Sequence, residues 1–350
     1  MNKMLMCIGR RFFRSSSCLL RQFSIAPEST FAPEYQNCNE HDDFIDENKD
    51  FNRIRSEDCK SLNIAIIGLP NVGKSTLINR LTNRPVCATA SRFHVTRAKS
   101  NAIYSEGKTQ LVFIDTPGLV SAHEFKKFEL ENSFKDDVKA AMESADIVGV
   151  IQDVSNKYTR GLMHKKILGL MKMTRVGVPS ILIMNKIDVM KKKRDLLALV
   201  KVLTSEKGWP NFSDVFMVSA LTADGVEDLR NYFLDSAKPR DWEYGPEVVT
   251  DQPTEKIIER AVRAKFMDSL PNELPYRLKI EIEHLSTCED GSLNCVVITR
   301  AESDRIAKIV LGKSGARVKM VARQAEEELS NAFRTTVRLK VAVHFSEEKK

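Results

Sequence analysis

Gly68-Leu69-Pro70-Asn71-Val72-Gly73-Lys74-Ser75 is the stretch on which the reading of this chain turns. An apolar run, Leu62 to Ile67, precedes it and reads as a buried strand, and a helical pattern through Leu77, Ile78 and Leu81 follows. Strand, glycine-rich loop and helix are the setting a phosphate-binding loop requires. The glycines let backbone N–H groups curl around phosphate oxygens, and the helix N-terminus adds the positive end of its dipole. Lys74 is placed to reach β- and γ-phosphates, and the Ser75 hydroxyl to ligate Mg²⁺.

Three more segments follow in the order a guanine nucleotide site needs. Gln110 to Ile114 reads as a strand and runs into Asp115-Thr116-Pro117-Gly118. An acid at a strand's carboxyl end can hold Mg²⁺ through water, and the Gly118 N–H can meet a γ-phosphate. Ser180 to Met184 is a strand leading to Asn185-Lys186-Ile187-Asp188. The Asp188 carboxylate there accepts from N1–H and the 2-amino group of guanine. Adenine offers neither donor, so it would leave the charge unpaired. Asn185 supports the base edge, and the Lys186 stem covers the ring face. Val215 to Val218 then leads to Ser219-Ala220, where the Ala220 N–H can meet guanine O6. One such motif is often a solvated turn; four in order at strand ends specify GTP.

The wording Gly-Leu-Pro-Asn-Val-Gly-Lys-Ser-Thr with Asp-Thr-Pro-Gly-Leu resembles the Era-like group of P-loop GTPases. That resemblance implies a doubly wound α/β sheet. It assigns Gly68, Asn71, Val72, Gly73, Lys74, Ser75, Thr76, Asp115, Thr116, Pro117, Gly118, Asn185, Lys186, Asp188, Ser219 and Ala220 to the nucleotide. Lys74, Thr96 and Gly118 would act in catalysis, and Ser75, Thr96 and Asp115 would face Mg²⁺. Leu119 stands where Ras-like enzymes carry the water-orienting glutamine; leucine cannot hydrogen-bond, so a low intrinsic rate is expected. In several relatives the residue at the Asn71 position helps hold K⁺, which would add positive charge at the transition state. Ser91 to Arg97 resembles the family's switch I, with Thr96 closing over Mg²⁺. Relatives usually carry two adjacent threonines; here Val95 takes the first place and the loop is one residue shorter, which weighs against K⁺.

The C-terminal third carries a second signal. Thr254 to Ser269 is helical in pattern, Tyr276 to Leu285 and Leu293 to Thr299 alternate as strands, and a short helix leads into Gly312-Lys313-Ser314-Gly315. A longer helix through Ala332 and a strand near Val337 to Val343 complete an αββααβ order. This order with a Gly-x-x-Gly loop resembles a type II KH domain, an α+β unit that clamps single-stranded nucleic acid. Ile309, Leu311, Gly312, Lys313, Ser314, Gly315, Arg317 and Lys319 are its candidate RNA contacts. Ile309, Val310, Val318 and Val321 are candidates for the groove floor, some of them core instead. One GTPase domain followed by one KH domain is the arrangement of the Era family.

The first acid is Glu28; ahead of it stand Lys3, Arg10, Arg11, Arg14, Arg21 and the run Ser15-Ser16-Ser17. Arg-rich, Ser-rich and acid-free is the composition of an organellar transit peptide, and arginines interrupt every apolar run too early for a membrane span. A retained basic arm is the alternative. Glu40, Asp42, Asp43, Asp46, Glu47 and Asp50 then mark an acidic segment expected to be disordered. The net charge of +7 owes five positive charges to this leader, so the mature chain is nearly balanced and its basic signal is local. Seven cysteines include no Cys-x-x-Cys pair, which speaks against a zinc site or a disulfide framework. Lys191-Lys192-Lys193-Arg194 reads as a solvated helix start.

The expected plan is a transit peptide over 1–23, an acidic linker over 24–60, a GTPase domain over 61–244, a linker over 245–253 and a KH domain over 254–346. The resemblance implies a GTP-hydrolysing RNA chaperone, using GTP/GDP and Mg²⁺, that binds small-subunit ribosomal RNA near its 3′ end in the mitochondrial matrix. It would act as a monomer on the assembling small subunit, without an integral membrane segment; a peripheral contact with the inner membrane stays open. An RNA-binding module with a decayed GTPase, or a transport or signalling GTPase with a protein-binding second domain, are the alternatives.

Overall fold

The computed structural model describes residues 58–89, 99–119, 133–192, 194–205, 208–271 and 274–345. The expected transit peptide, nearly all of the acidic linker, and the whole Ser91 to Arg97 switch I segment with Thr96 lie outside them. The larger sheet contains β1 (Lys60–Gly68), β2 (Ser100–Glu106), β3 (Thr109–Asp115), β4 (Ile147–Asp153), β5 (Ser180–Asn185) and β6 (Asp214–Val218) in the order β2-β3-β1-β4-β5-β6. All neighbours are parallel except the β2–β3 hairpin, and a short β7 (Lys238–Pro239) pairs antiparallel with β1.

Parallel strands buried on both faces read as unbroken apolar runs, and β1 shows why. Its Leu62, Ile64 and Ile66 enter one core with Leu77, Ile78 and Leu81 of α1 (Lys74–Leu81). Its Ala65 and Ile67 enter the opposite core with helices α2 (Ser133–Ser144), α3 (Lys165–Met171) and α4 (Arg194–Leu203). Helix α5 (Val226–Asp235) returns to the first face, where Phe233 meets Phe113 edge-on at 5.7 Å. Arg230 of α5 is buried and caps the carboxyl end of α1, donating to the carbonyls of Leu81 (2.9 Å) and Arg80 (2.8 Å). A cation at a helix C-terminus meets both the orphan carbonyls and the negative dipole end.

After β7 the chain turns back along the sheet edge. Ile103 N donates to Val249 O at 2.9 Å, and Thr250 bridges Ala102 in antiparallel sense. Asn101 N donates to the Asp251 carboxylate (2.9 Å), and the Asn101 amide donates to the Tyr244 hydroxyl (2.8 Å).

The second unit has the expected αββααβ order: α6 (Thr254–Ser269), a one-turn α7 (Leu274–Arg277), β8 (Lys279–Thr287), β9 (Leu293–Ala301), α8 (Asp304–Leu311), α9 (Ala316–Phe333) and β10 (Val337–Phe345). Its sheet runs β10-β9-β8, with β9 parallel to β10 and antiparallel to β8. This is the KH-type α+β arrangement. Tyr276 and Arg277, expected in the strand, instead close the α7 turn, because Pro275 suits a first helical turn and cannot donate to a ladder. Ile257, Ile258, Ala261 and Val262 of α6 pack into one core with Val297, Val310, Val321 and Leu329.

Candidate functional site

Every candidate nucleotide residue within the described part lies at the carboxyl end of a strand or just beyond it, along one edge of the sheet. The phosphate loop leaves β1 and enters α1 through Gly73 at φ 99°, a left-handed backbone that glycine adopts without cost. A Cβ at Gly73 would sit 2.3 Å from the Asn185 amide nitrogen, so this loop and the Asn185-Lys186-Ile187-Asp188 loop are pressed together. Asn71 also takes a positive φ of 58°.

Lys74 is buried, and its ammonium donates to the carbonyls of Gly68 (3.4 Å) and Leu69 (3.1 Å). Burial pulls its pKa down to about 8, against the opposing pull of Asp115. A charge held in a carbonyl-lined loop at this cost is poised to gain when phosphate oxygens arrive. The Ser75 hydroxyl donates to Asp115 Oδ2 at 2.8 Å, and Asp115 is buried. A hydroxyl and a carboxylate side by side are hard oxygen donors of the kind Mg²⁺ takes, so this pair fits that ion. Beyond Asp115, Thr116 is buried and donates through its hydroxyl to Ile66 O at 2.8 Å, which fixes the turn. Leu119 N donates to Gly68 O at 3.2 Å, and a Cβ at Gly118 would approach Pro70 Cα to 2.8 Å. The segment Thr116-Pro117-Gly118 therefore rests on the phosphate loop itself.

Asn185 ties the base side together: its amide donates to Val72 O (2.8 Å) and its carbonyl accepts from Ala220 N (2.9 Å). Ser219 donates to Asp188 Oδ1 at 2.6 Å, holding that carboxylate by one oxygen. Lys186 donates to Asn71 O (2.7 Å) and to Asp153 Oδ2 (2.6 Å). Asp153, Arg80 and Asn79 join the site without belonging to any of the four motifs. Asp153 ends β4 as Asp115 ends β3, an acid closing an apolar run, and that position is its signal in the sequence. Arg80 donates to Ala220 O (3.1 Å) and Leu221 O (2.9 Å), so α1 holds the guanine loop. Asn79 grips the backbone of Cys87 with both amide atoms, at 2.7 and 2.8 Å, just ahead of the switch I region. Sequence spacing gives no hint of either.

In the second unit, Gly312 (φ 70°), Ser314 (φ 52°) and Gly315 (φ 75°) open the turn between α8 and α9. Lys313, Ser314 and Lys319 are exposed, Leu311 is 37% exposed and Ile309 half-buried. Val310, Val318 and Val321 point into the core, which leaves Ile309 and Leu311 for a groove floor. Arg317 turns its guanidinium back onto the Ile309 carbonyl, and Lys308 pairs with Asp304 at 2.6 Å. Lys313 and Lys319 are thus the outward cations of this turn.

The chain is similar to known proteins over most of its length. The family model described as 50S ribosome-binding GTPase matches residues 63–186. The mitochondrial GTPase Era of Danio rerio is 33% identical over 339 residues, covering 82% of this chain and 76% of that protein. GTPase Era of Bradyrhizobium sp. is 32% identical over 276 residues, covering 79% and 86%. Among solved structures, Era in complex with MgGDPNP and nucleotides 1506–1542 of 16S ribosomal RNA superposes with a TM-score of 0.71 at 23% identity, over 83% of this chain and 95% of that one.

Proposed function

This chain belongs to the Era family of GTPases, and from that premise we propose that it is a GTP-switched RNA chaperone of the mitochondrial small ribosomal subunit. The observation that carries the RNA half is the Gly312 to Gly315 turn. Three positive-φ residues open it, and Lys313 and Ser314 stand exposed on it, so a phosphodiester can approach the glycine backbone closely beside a cation and a hydroxyl. The related Era that was solved with the 3′ nucleotides of 16S ribosomal RNA supports the choice of RNA, and the Danio rerio relative supports the compartment. Among the described residues no helix is long and apolar enough to cross a membrane.

In this reading the phosphate loop holds GTP through its amides and Lys74, while Asp188 and Ala220 N–H select guanine. When bound beside Ser75 and Asp115, Mg²⁺ would supply positive charge to the β- and γ-phosphate oxygens. A water oxygen bonds to the γ-phosphorus as the bond to the β-bridging oxygen breaks, and the water's proton ends on phosphate. Lys74 and the Gly118 N–H stabilise the charge that spreads in that step. Leu119 gives the water no hydrogen bond, so the rate stays low until a partner or a reoriented switch supplies one. K⁺ beside Asn71 and closure of Thr96 belong to the same proposal. Ordering of the switches with GTP would alter RNA grip.

Crosslinking the mature protein to RNA inside isolated mitochondria, with GTP or a non-hydrolysable analogue, tests this. Enrichment of one segment near the small-subunit rRNA 3′ end is expected, and a diffuse RNA profile would refute the assignment.

A further inference from the structure

From Val154 to Ser180 the chain carries six lysines and arginines and not one acid, although the mature protein is close to charge balance. Helix α3 organises this segment. Its Ile167 and Met171 are buried beneath it, while Lys165, Lys166, Gly169 and Lys172 are exposed on its outer side. Ahead of it, the loop after β4 exposes Lys157 and lifts Tyr158 until it is 90% exposed. That loop packs on α4 and on the turn ahead of it: Arg160 donates to Met190 Sδ at 3.4 Å, and a Cβ at Gly161 would lie 3.7 Å from Leu199. Lys191, Lys192 and Arg194, also exposed, therefore extend the same surface. Among the described residues, Lys157, Lys165, Lys172 and Arg175 form no ion pair, although Glu143 of α2 lines a small cavity together with Arg175.

We propose that this predominantly basic face of the GTPase domain is a second RNA contact, separate from the glycine clamp of the KH unit. It rests on the reading of the protein as an RNA chaperone. Phosphates of folded ribosomal RNA would lie along Lys157, Lys165, Lys172 and Arg175, neutralised by them with release of counterions. Tyr158, held at the loop tip between Lys157 and Arg160, presents a ring on which an unpaired base can stack. A lipid surface fits less well: the turns on either side of α3 expose Leu162, Met173 and Val176, but membrane-lying helices turn a broad apolar side outward, and α3 buries Ile167 and Met171 while its outer side is cationic. Two separate contacts on one RNA raise its effective concentration at each, so the second adds affinity only for RNA long enough to reach both.

The test uses the full chain and two RNAs: a single-stranded oligonucleotide of roughly ten nucleotides that fills the clamp alone, and a folded small-subunit rRNA fragment long enough for both contacts. Lys165→Gln/Lys172→Gln/Arg175→Gln should weaken the fragment about tenfold or more and flatten the slope of log affinity against log salt by about 2. Tyr158→Ala, at an exposed tip where folding is not at stake, should weaken the fragment about fivefold or more. Both variants should bind the oligonucleotide and hydrolyse GTP as the parent does. An unchanged fragment affinity and slope in both variants overturns the proposal. So does an unchanged fragment affinity with lost binding to cardiolipin-containing vesicles, which would make the surface a lipid site. A parent protein that ignores the oligonucleotide too would instead bring down the RNA reading itself.

Discussion

Lys74→Met should stabilise the nucleotide-free protein at neutral pH while abolishing GTP binding. The buried ammonium has its pKa pulled from the ordinary 10.5 to about 8, mainly by loss of hydration. At about 1.4 kcal/mol per pH decade, holding it charged at pH 7 costs roughly 3 kcal/mol. Methionine removes that cost and keeps the side-chain volume. It also forfeits the two rather long bonds to Gly68 O (3.4 Å) and Leu69 O (3.1 Å), worth about 1 kcal/mol each at most. A net gain of about 1–2 kcal/mol remains.

The sign can be checked by pH. The lysine's folded value is depressed, so between about 8 and 10.5 the unfolded chain binds more protons than the folded one. The parent protein should gain stability across that window as pH rises, and the variant should lack this increment. Other groups, such as Tyr104 with its value pushed up to about 12, titrate in both proteins and drop out of the difference. Urea unfolding followed by the fluorescence of Trp209 and Trp242, the chain's two tryptophans, reads the GTPase unit directly. A variant less stable than the parent at pH 7, or a gap that does not change between pH 7 and 10, would show that the loop does not hold Lys74 at a cost.

Asp188→Asn should weaken GTP binding by about 2–4 kcal/mol, because an amide NH₂ would face the guanine N1–H; xanthosine triphosphate, which replaces the 2-amino group with an oxygen, should bind better than GTP in a competition assay. Gly118→Ala adds a Cβ that would meet Pro70 Cα at 2.8 Å; single-turnover hydrolysis should fall at least about tenfold while GDP affinity stays within about threefold of the parent. Arg230→Met leaves the carbonyls of Arg80 and Leu81 buried without their cap and should cost about 2–4 kcal/mol in urea unfolding.

What the sequence made legible follows the physics of burial. Strands β1, β3 and β5 are continuous apolar runs because both faces are covered, and each ends on a polar motif with a separable chemical role. Helix α6 was readable to its ends from one-face spacing. Other features rest on side-chain hydrogen bonds to distant or neighbouring loops that leave no period. Arg80 under Ala220 and Asn79 around Cys87 look like ordinary helix surface residues until the fold brings loops from 140 and 8 residues away onto them. The opposite orientation of Arg317 was equally hidden, since a basic residue beside a glycine turn can point outward or cap the preceding helix. Tyr276 and Arg277 fit the alternation of β8, and only the local preference of Pro275 for a helical turn excludes them from it.

The stretch from Tyr244 to Asp251, bonded along β2, has a practical implication for anyone excising the GTPase half. Ending such a fragment at Tyr244 would strip Val249, Thr250 and Asp251 from Asn101, Ala102 and Ile103, leaving bare amides and carbonyls along an edge that can recruit a neighbour. A fragment carried through Gln252 keeps that margin sealed and should remain dispersed where the shorter one clumps.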